Sequence, residues 1–360
     1  MSAQTNTSPE PKRALSKIEI VGLVVLTLSL VGLFVNPGFI GGIFDAMVNR
    51  AKSIVSNVYL MGTLGTAIIC SVMTGRILER LGLTDALLRV FMPLAKIIGV
   101  NPAVVVPGVY NILGDINAAG RISGPVLKKA KATKDEQKIA VATMVQSQQS
   151  FSTFMLGLIA LTRAGVWAFP VIIIGLFLPL VLWPWLLSKT IWRNTRATDF
   201  KDIPRMTPNT KIMDTIFGGA REGAELMFLL LIPAAAVIFA IIGALDYIGI
   251  WKGIETAIGS FLQAVNIEPQ TGLLSVLASP TLAMNQLKDM AGVDPRFVVG
   301  SFILAASGLP LQVIFGQIPA VWSQASDLSG TEAMGAAVLG LVLRVLTATF
   351  MATVITPLLI

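Results

Sequence analysis

The stretch "NILGDINAAGR" (residues 111–121) follows the apolar run "PAVVVPGVY" (102–110) and closes it with amides, a carboxylate and glycines. An ordinary membrane-spanning helix ends in apolar residues and an interfacial anchor. Here Asn111, Asp115 and Asn117 stand where that apolar end is expected. Irregular backbone at membrane depth is tolerated only where it is buried in protein or lines water. The stretch therefore predicts an interrupted helix lined by polar side chains.

The charges around this run predict that it does not cross the membrane. Arg89 and Lys96 precede it, and a cluster of lysines follows it between 121 and 138. Because basic residues mark cytoplasmic segments, both ends of 102–119 are expected in the cytoplasm. A segment that starts and ends on one side is a re-entrant hairpin. We expect its turn near Gly108, with the polar residues on the returning arm.

The composition is that of a polytopic membrane protein. Of the 360 residues, 54% are hydrophobic and 13% are charged, whereas soluble domains carry about 25% charged residues. Several stretches approach the roughly 20 apolar residues of a spanning helix, which indicates an all-α chain. The net charge of +7 is interpreted as a topology signal, and no nucleic-acid partner is expected.

The residue types exclude several kinds of catalysis. The chain has no histidine and a single cysteine, Cys70, so neither Ser-His-Asp nor Cys-His catalysis is available. No phosphate loop and no paired-carboxylate motif is present in the sequence. We therefore expect neither an enzyme nor a bound cofactor, with sodium or a proton as the coupling ion if the chain transports a solute.

The chain divides into an N-terminal part and two repeats. The polar N-terminus is expected to be disordered, and the basic residues Lys12, Arg13 and Lys17 place the start of the first span in the cytoplasm. The expected segments are a disordered N-terminus (1–16), an N-terminal transmembrane helix (17–38), a first repeat (45–192), a cytoplasmic linker (193–210) and a second repeat (211–360). The chain is accordingly expected in the cytoplasmic (inner) membrane as a multi-pass protein.

The second repeat follows the element order of the first. Gly249 stands 167 positions after Gly82, and Glu268 stands 167 positions after Asn101. Each repeat is predicted to hold an interfacial helix, a re-entrant hairpin and broken spanning helices. The basic linker places the start of the second repeat in the cytoplasm, so the repeats are predicted to have inverted topology, as in many secondary transporters. Further spans are expected at 58–75, 139–161, 167–188, 227–245, 298–320 and 335–357.

Polar residues interrupt the apolar segments at four places, two in each repeat. The hairpins contain "NILGDINAAGR" and "ASPTLAMNQ" (278–286), and the following spans contain "QSQQSFS" (146–152) and "AASGLPLQ" (305–312). There are two alternatives to a binding site: polar side chains that form hydrogen bonds between helices, and a simple glycine-proline kink. Consecutive polar residues point all round a helix, which favours a site. The candidate substrate-binding residues are Asn111, Asp115, Asn117, Gln146, Gln148, Gln149, Ser150, Thr281, Asn285, Gln286, Ser307 and Gln312.

Two charged residues within apolar segments have several interpretations. Asp115 is the candidate ligand of a coupling cation, because a carboxylate in lipid pairs with a cation or lines water. A structural salt bridge with Arg121 is the alternative. Arg344 lies in the middle of the last span. Its three possible roles are an ion pair with a carboxylate, the binding of an anionic substrate and a purely structural contact.

The segment "LGLTDALLRVFMPLAKIIGVNPAVVVPGVYNILGDINAAGR" (81–121) resembles the gate or nucleoside-recognition family. The resemblance rests on an interfacial helix followed by Asn111, Gly114 and Asn117-Ala118-Ala119, the pattern of spore maturation proteins. Concentrative nucleoside transporters and the membrane part of ferrous iron transport B proteins are more distant members. The sequence departs from the pattern at Gly120-Arg121, where Thr-Pro is usual. The resemblance implies two fused gate repeats and, weakly, a nucleoside substrate.

Three functions remain open from the sequence. The first is a secondary transporter of a small polar solute, nucleoside-like or otherwise rich in amides and hydroxyls. The second is a divalent-cation permease, for which magnesium suits the oxygen ligands available. The third is a membrane accessory protein that does not transport. The expected partners are a small-molecule solute and membrane lipids, and a homo-oligomer is left open.

Overall fold

The computed structural model describes residues 15–114, 116–198, 205–307 and 310–360. Within these ranges the chain is helical and forms no strand, which confirms the all-α membrane fold expected from the composition. Among these residues, four helices are long and apolar enough to cross a membrane, or five if a pair bent by 53° counts as one span.

The N-terminal helix α1 (Lys17–Val35) is a lipid-facing span. The Ser16 side chain accepts a hydrogen bond from the Glu19 main chain, and the Glu19 carboxylate accepts one from the Ser16 main chain. This reciprocal cap satisfies donors that a helix start leaves free. None of its residues is buried in protein, which is typical of an apolar helix that faces lipid all round.

The remaining helices follow the order of the two predicted repeats. In the first half they are α2 (Pro37–Ser53), α3 (Thr63–Arg80), α4 (Leu83–Ile97), α5 (Val106–Leu113), α6 (Ile116–Lys129), α7 (Lys134–Gln146), α8 (Phe151–Arg163), α9 (Ala168–Ile172) and α10 (Pro179–Thr190). In the second half they are α11 (Ile212–Glu225), α12 (Ile232–Tyr247), α13 (Trp251–Ala264), α14 (Pro269–Leu277), α15 (Pro280–Asp289), α16 (Pro295–Ala305), α17 (Ile318–Ala325) and α18 (Gly330–Phe350).

Caps followed by proline explain where the hairpin helices begin. Asn101, Glu268 and Ser279 each accept a main-chain hydrogen bond from the first turn of a helical segment that starts with proline. Proline is favoured at that position because its missing N–H would have no partner there and its φ angle is already helical. The sequence signal at Asn101-Pro102 and Glu268-Pro269 therefore marks real helix starts.

The turn of the first hairpin lies at Gly114, so the prediction of a turn near Gly108 is wrong. Gly108 lies inside α5, where a neighbouring side chain, that of Leu180, packs within 3.2 Å of the place a Cβ would occupy. A helix tolerates such a glycine for close packing. Gly114 has an extended conformation, and a Cβ there would meet Tyr110 at 2.8 Å.

The expected span at 58–75 is also corrected. Helix α2 continues through a π-helical turn (Ile54–Leu60), and the chain breaks at Met61-Gly62 before α3 begins. A side chain at Gly62 would collide with the Val58 carbonyl at 2.5 Å, so glycine permits the bend. In the second half α11 and α12 instead form one helix, Ile212–Tyr247, with no break at residue 227.

The two halves interlock reciprocally. Helix α3 packs on α11 and α2 on α12, in antiparallel order. The helix after each broken span packs on the returning arm of the other half's hairpin, α8 on α15 and α17 on α6. Each apolar core contains side chains from both halves; Trp322 joins the core around α5 and α7, and Tyr59 joins the core around α15 and α16. Neither half buries its apolar faces alone.

Candidate functional site

A cavity of about 310 Å³ lies where the predicted interruptions meet. The tips of both hairpins and the breaks of both spans line it, and α3 and the helix α11–α12 close the remaining wall. Its polar lining residues are Arg76, Gln149, Ser150, Thr153, Glu222, Glu225, Ser279, Thr281, Gln312 and Gln317. The cavity therefore belongs to both halves of the chain.

The first broken span is shaped by hydrogen bonds at the end of α7. After Gln146 the chain turns to an extended conformation at Ser147, whose hydroxyl donates to the Met144 carbonyl at 2.7 Å. The buried Asn111 amide donates to the same hydroxyl at 3.1 Å. Ser150 has a φ angle of +65°, a left-handed conformation that is uncommon outside glycine. These contacts fix the direction in which the chain leaves α7.

A cluster of hydroxyl groups joins the first broken span to the second hairpin. Thr153 and Thr281 lie 2.9 Å apart, and Ser152 lies 3.5 Å from Thr281. The hydroxyls of Ser150 and Ser152 also share a hydrogen bond. Since each hydroxyl can donate and accept, the cluster can present either role to a solute in the cavity.

An ion cluster forms one wall of the cavity. The Arg76 guanidinium donates from Nε to Glu222 Oε2 at 2.7 Å, and its Nη2 reaches the other oxygen of the same carboxylate. Its Nη1 donates to Glu79. The bidentate contact joins α3 to α11 with fixed geometry. Two carboxylates share one guanidinium, so the cluster is net negative.

The structure distributes the predicted site residues over several environments. Four of them line the cavity: Gln149, Ser150, Thr281 and Gln312. Asn111, Gln146 and Ser307 are fully buried and bond to neighbouring main chain or to Ser147. The Gln148 amide turns back to donate to the carbonyls of Gln149 and Ser150. Asp115 and the side chain of Asn117 lie outside the part of the chain that the structure describes.

Asn285 and Gln286 line a different cavity, of about 660 Å³, beside α15. The Asn285 amide oxygen accepts a hydrogen bond from Thr63 at 3.4 Å, and Gln286 donates to Gln270 at 2.9 Å. Thr281 is one turn earlier on α15 and faces the first cavity. Helix α15 therefore separates the two cavities.

Sequence reasoning missed the ion cluster and part of the hydroxyl cluster. Neither Arg76 nor Glu222 is among the candidate residues that the sequence predicts. The signal that could have found Glu222 is its place within a helix of 36 residues with a mean hydropathy of 2.8 over its most apolar window, where a carboxylate needs a partner. Its partner is 146 residues away, so the pair itself is invisible to local patterns.

The described residues hold no group of three or more acidic, cysteine or histidine side chains placed to bind a metal ion. Both carboxylates of the ion cluster, those of Glu222 and Glu79, already have Arg76 as their partner. Apart from its charged residues, the lining of the cavity holds three amides and four hydroxyls among apolar side chains, and such groups form directed hydrogen bonds to a polar molecule.

Neither a protein-family model nor a curated protein sequence matches the chain. Among solved structures, the chain is similar to the concentrative nucleoside transporter CNTnw in an inward-facing substrate-bound state. The TM-score is 0.61 at 15% identity, over 93% of this chain and 85% of that chain. A second structure, of CNTnw with two substitutions in an outward-facing state, has a TM-score of 0.57 over the same shares.

At 15% identity this similarity shows the fold alone. The chain has the polytopic all-α fold seen in these transporter structures. The resemblance to spore maturation proteins and to ferrous iron transport B proteins stays a prediction from the sequence.

Proposed function

We propose that the chain is a secondary transporter that carries a small polar solute across the cytoplasmic membrane. The solute would bind in the 310 Å³ cavity between the two halves. The observation that carries this proposal is the convergence of both hairpin tips and both helix breaks on one cavity. Broken helices at the interface of two repeats are where secondary transporters bind their substrates.

The amides and hydroxyls of the cavity support a polar solute with both donors and acceptors. The Gln149 Oε1 atom is buried and has no hydrogen-bond partner among the described residues. A buried amide oxygen without a partner costs free energy, and the side chain that carries it lines the cavity. The hydroxyls of Ser150 and Thr281 offer further hydrogen bonds. A nucleoside-like molecule has the matching amide and hydroxyl groups.

The fold of the chain supports transport as the activity, since the structures it resembles are of a transporter in inward-facing and outward-facing states. Sodium or a proton is the proposed coupling ion. Asp115 remains the proposed cation ligand from the sequence.

Thermal unfolding of the purified protein tests the proposal. Nucleosides, nucleobases, small polar metabolites and divalent cations would each be added to wild type, Gln149→Ala and Thr281→Val. A ligand at a hundredfold excess over its dissociation constant stabilises the folded state by about 2.7 kcal/mol. We expect one class of polar solute to raise the midpoint of wild type, with the rise lost in both variants. The same solute should enter proteoliposomes in a sodium- or proton-dependent manner.

Thr162→Val is the matched control. It removes a hydroxyl that bonds to the Leu158 carbonyl of its own helix, on the exposed end of α8. This variant should keep the full ligand-induced rise. Stabilisation only by divalent cations would favour the permease, and the absence of any response with no uptake would favour an accessory role.

A further inference from the structure

Arg344 is a fully buried arginine in the middle of α18. No carboxylate among the described residues lies within ion-pair distance of it. Its Nη1 donates to the Gln146 carbonyl at 2.9 Å and to the Gly175 carbonyl at 3.2 Å. An intramembrane charge is costly and is retained when it serves a function, so these two contacts need an explanation.

Both carbonyls lie where a helix has lost its regular hydrogen bonds. Gln146 is the last residue of α7, and the final carbonyls of a helix have no donor within it. Gly175 lies in the π-helical turn Ile173–Phe177 between α9 and α10. The carboxyl end of a helix also carries a partial negative charge that attracts a cation. Arg344 therefore supplies the hydrogen-bond donor and the positive charge that the Gln146 carbonyl lacks at the end of α7.

Gly340 brings α18 close enough to α7 for this contact, and Gly175 makes room for Ile303 of α16. A Cβ at Gly340 would lie 2.9 Å from the Ala142 carbonyl, so α18 can approach α7 only without a side chain there. The Gly340 carbonyl also accepts a hydrogen bond from the Gln146 side chain. A Cβ at Gly175 would meet Ile303 at 2.3 Å. Arg344 stands one turn after Gly340 and points at the end of α7.

We propose that Arg344 is a positioning residue of the solute site. Its charge holds the end of α7, so that the chain turns at Ser147 and presents Gln149 and Ser150 to the cavity. The inference rests on the proposed function only in taking the cavity as the solute site. The Nε and Nη2 atoms have no partner among the described residues, so Nη1 carries the role. A lysine ammonium can therefore replace it.

Hydrogen exchange measured by mass spectrometry tests this role without any solute. The proteins are full-length wild type, Arg344→Met and Arg344→Lys, and the peptide to follow covers residues 146–154. We expect exchange in this peptide to be at least tenfold faster in Arg344→Met and within about threefold of wild type in Arg344→Lys. Arg163→Met, which removes an exposed arginine at the far end of α8, should leave the peptide unchanged.

A folded Arg344→Met protein with wild-type exchange in 146–154 would overturn the proposal. Exchange raised equally along the whole chain would also overturn it, because that result describes a general structural role. If Arg344→Met gives no folded protein, Arg344→Lys decides alone, and tenfold faster exchange in its peptide would contradict the inference.

Solute binding provides the second measurement. The dissociation constant of the solute that stabilises wild type should rise at least tenfold in Arg344→Met and be largely restored in Arg344→Lys. If no solute binds wild type, the proposed function fails, while the exchange experiment still decides the role of Arg344.

Discussion

The two broken spans have the same architecture but are held differently. In the first, the end of α7 is held by side chains, because Arg344 bonds to the Gln146 carbonyl and Asn111 bonds to the Ser147 hydroxyl. In the second, the Ala306 carbonyl accepts the main-chain N–H of Gln149, and the Ser307 hydroxyl bonds only to its own helix among the described residues. Among the described residues, the first break thus depends on distant side chains, and one main-chain hydrogen bond joins the two breaks.

The largest loss of stability is expected from a substitution at the close contact between α18 and α7. Gly340→Ala places a methyl group 2.9 Å from both the Ala142 carbonyl and the Val145 side chain. Overpacking of this kind costs about 1–3 kcal/mol, so the thermal midpoint should fall. Gly335 lies on the exposed side of the same helix with nothing within 4 Å. Gly335→Ala should therefore not lower the midpoint. Equal losses of thermal stability in the two variants would contradict the close contact of Gly340 with α7.

Removal of a matched serine hydroxyl from each break should show which break depends on side chains. Ser147→Ala deprives the buried Asn111 amide of its closest acceptor and should cost about 1–3 kcal/mol. Ser307→Ala removes a hydroxyl together with its own hydrogen bond to Leu304 and should cost about 1 kcal/mol or less. Unfolding titrations of the two variants measure the difference. A larger loss for Ser307→Ala would reverse the comparison.

The smallest effect concerns the interfacial helices that precede the hairpins. Asp85 in the first turn of α4 accepts hydrogen bonds from Met206 and Thr207 of the linker. Burial opposes the charge, but these hydrogen bonds and the nearby Arg205 outweigh it and lower the pKa of Asp85. The corresponding helix α13 begins without a side-chain cap. Only the first interfacial helix is thus fastened at its start by a carboxylate within the described residues.

The depressed pKa fixes the sign of the pH dependence. The stabilisation from Asp85 is complete above the unfolded-state pKa of about 3.9 and is lost as the pH falls through the lower folded-state pKa. The stability advantage of wild type over Asp85→Asn should therefore be constant from pH 7 to about pH 5 and shrink below about pH 4. Thermal unfolding across this range measures it. An advantage that grows on acidification would contradict the interpretation.

Local chemistry made the interruptions predictable. Runs such as "QSQQSFS" cannot form one stripe on a helix, and proline after a capping residue marks a start, so the breaks and the hairpin entrances follow from short patterns. The position of the hairpin turn did not follow, because Gly108 and Gly114 look alike in sequence. The difference lies in their surroundings, since Gly108 packs against Leu180 of a distant helix, whereas Gly114 lies against Tyr110 of the helix that it ends.

The content of the site was less predictable than its location. Consecutive polar residues in the first break separate once the chain leaves the helix: Gln146 faces α18, Gln148 folds back, and Gln149 reaches the cavity. The direction of Gln146 depends on Gly340, 194 positions away, and the main chain of Gln149 bonds to Ala306 of the other half, whereas Gln148 bonds to the two residues that follow it. The pair of Arg76 and Glu222 was also not predictable from the sequence. The residues around each of them form no motif, and each has its partner in the other half.

The contact between Arg344 and Gln146 has a consequence for biosynthesis. The two residues are 198 positions apart, so α18 leaves the ribosome long after α7. Until it arrives, the carbonyl at the end of α7 lacks its cation and the apolar faces of the first half lack their cover. Domains generally fold in the order of synthesis, but here the first half must wait for the last. A chain truncated before residue 330 should therefore be recognised by membrane quality control as unfinished.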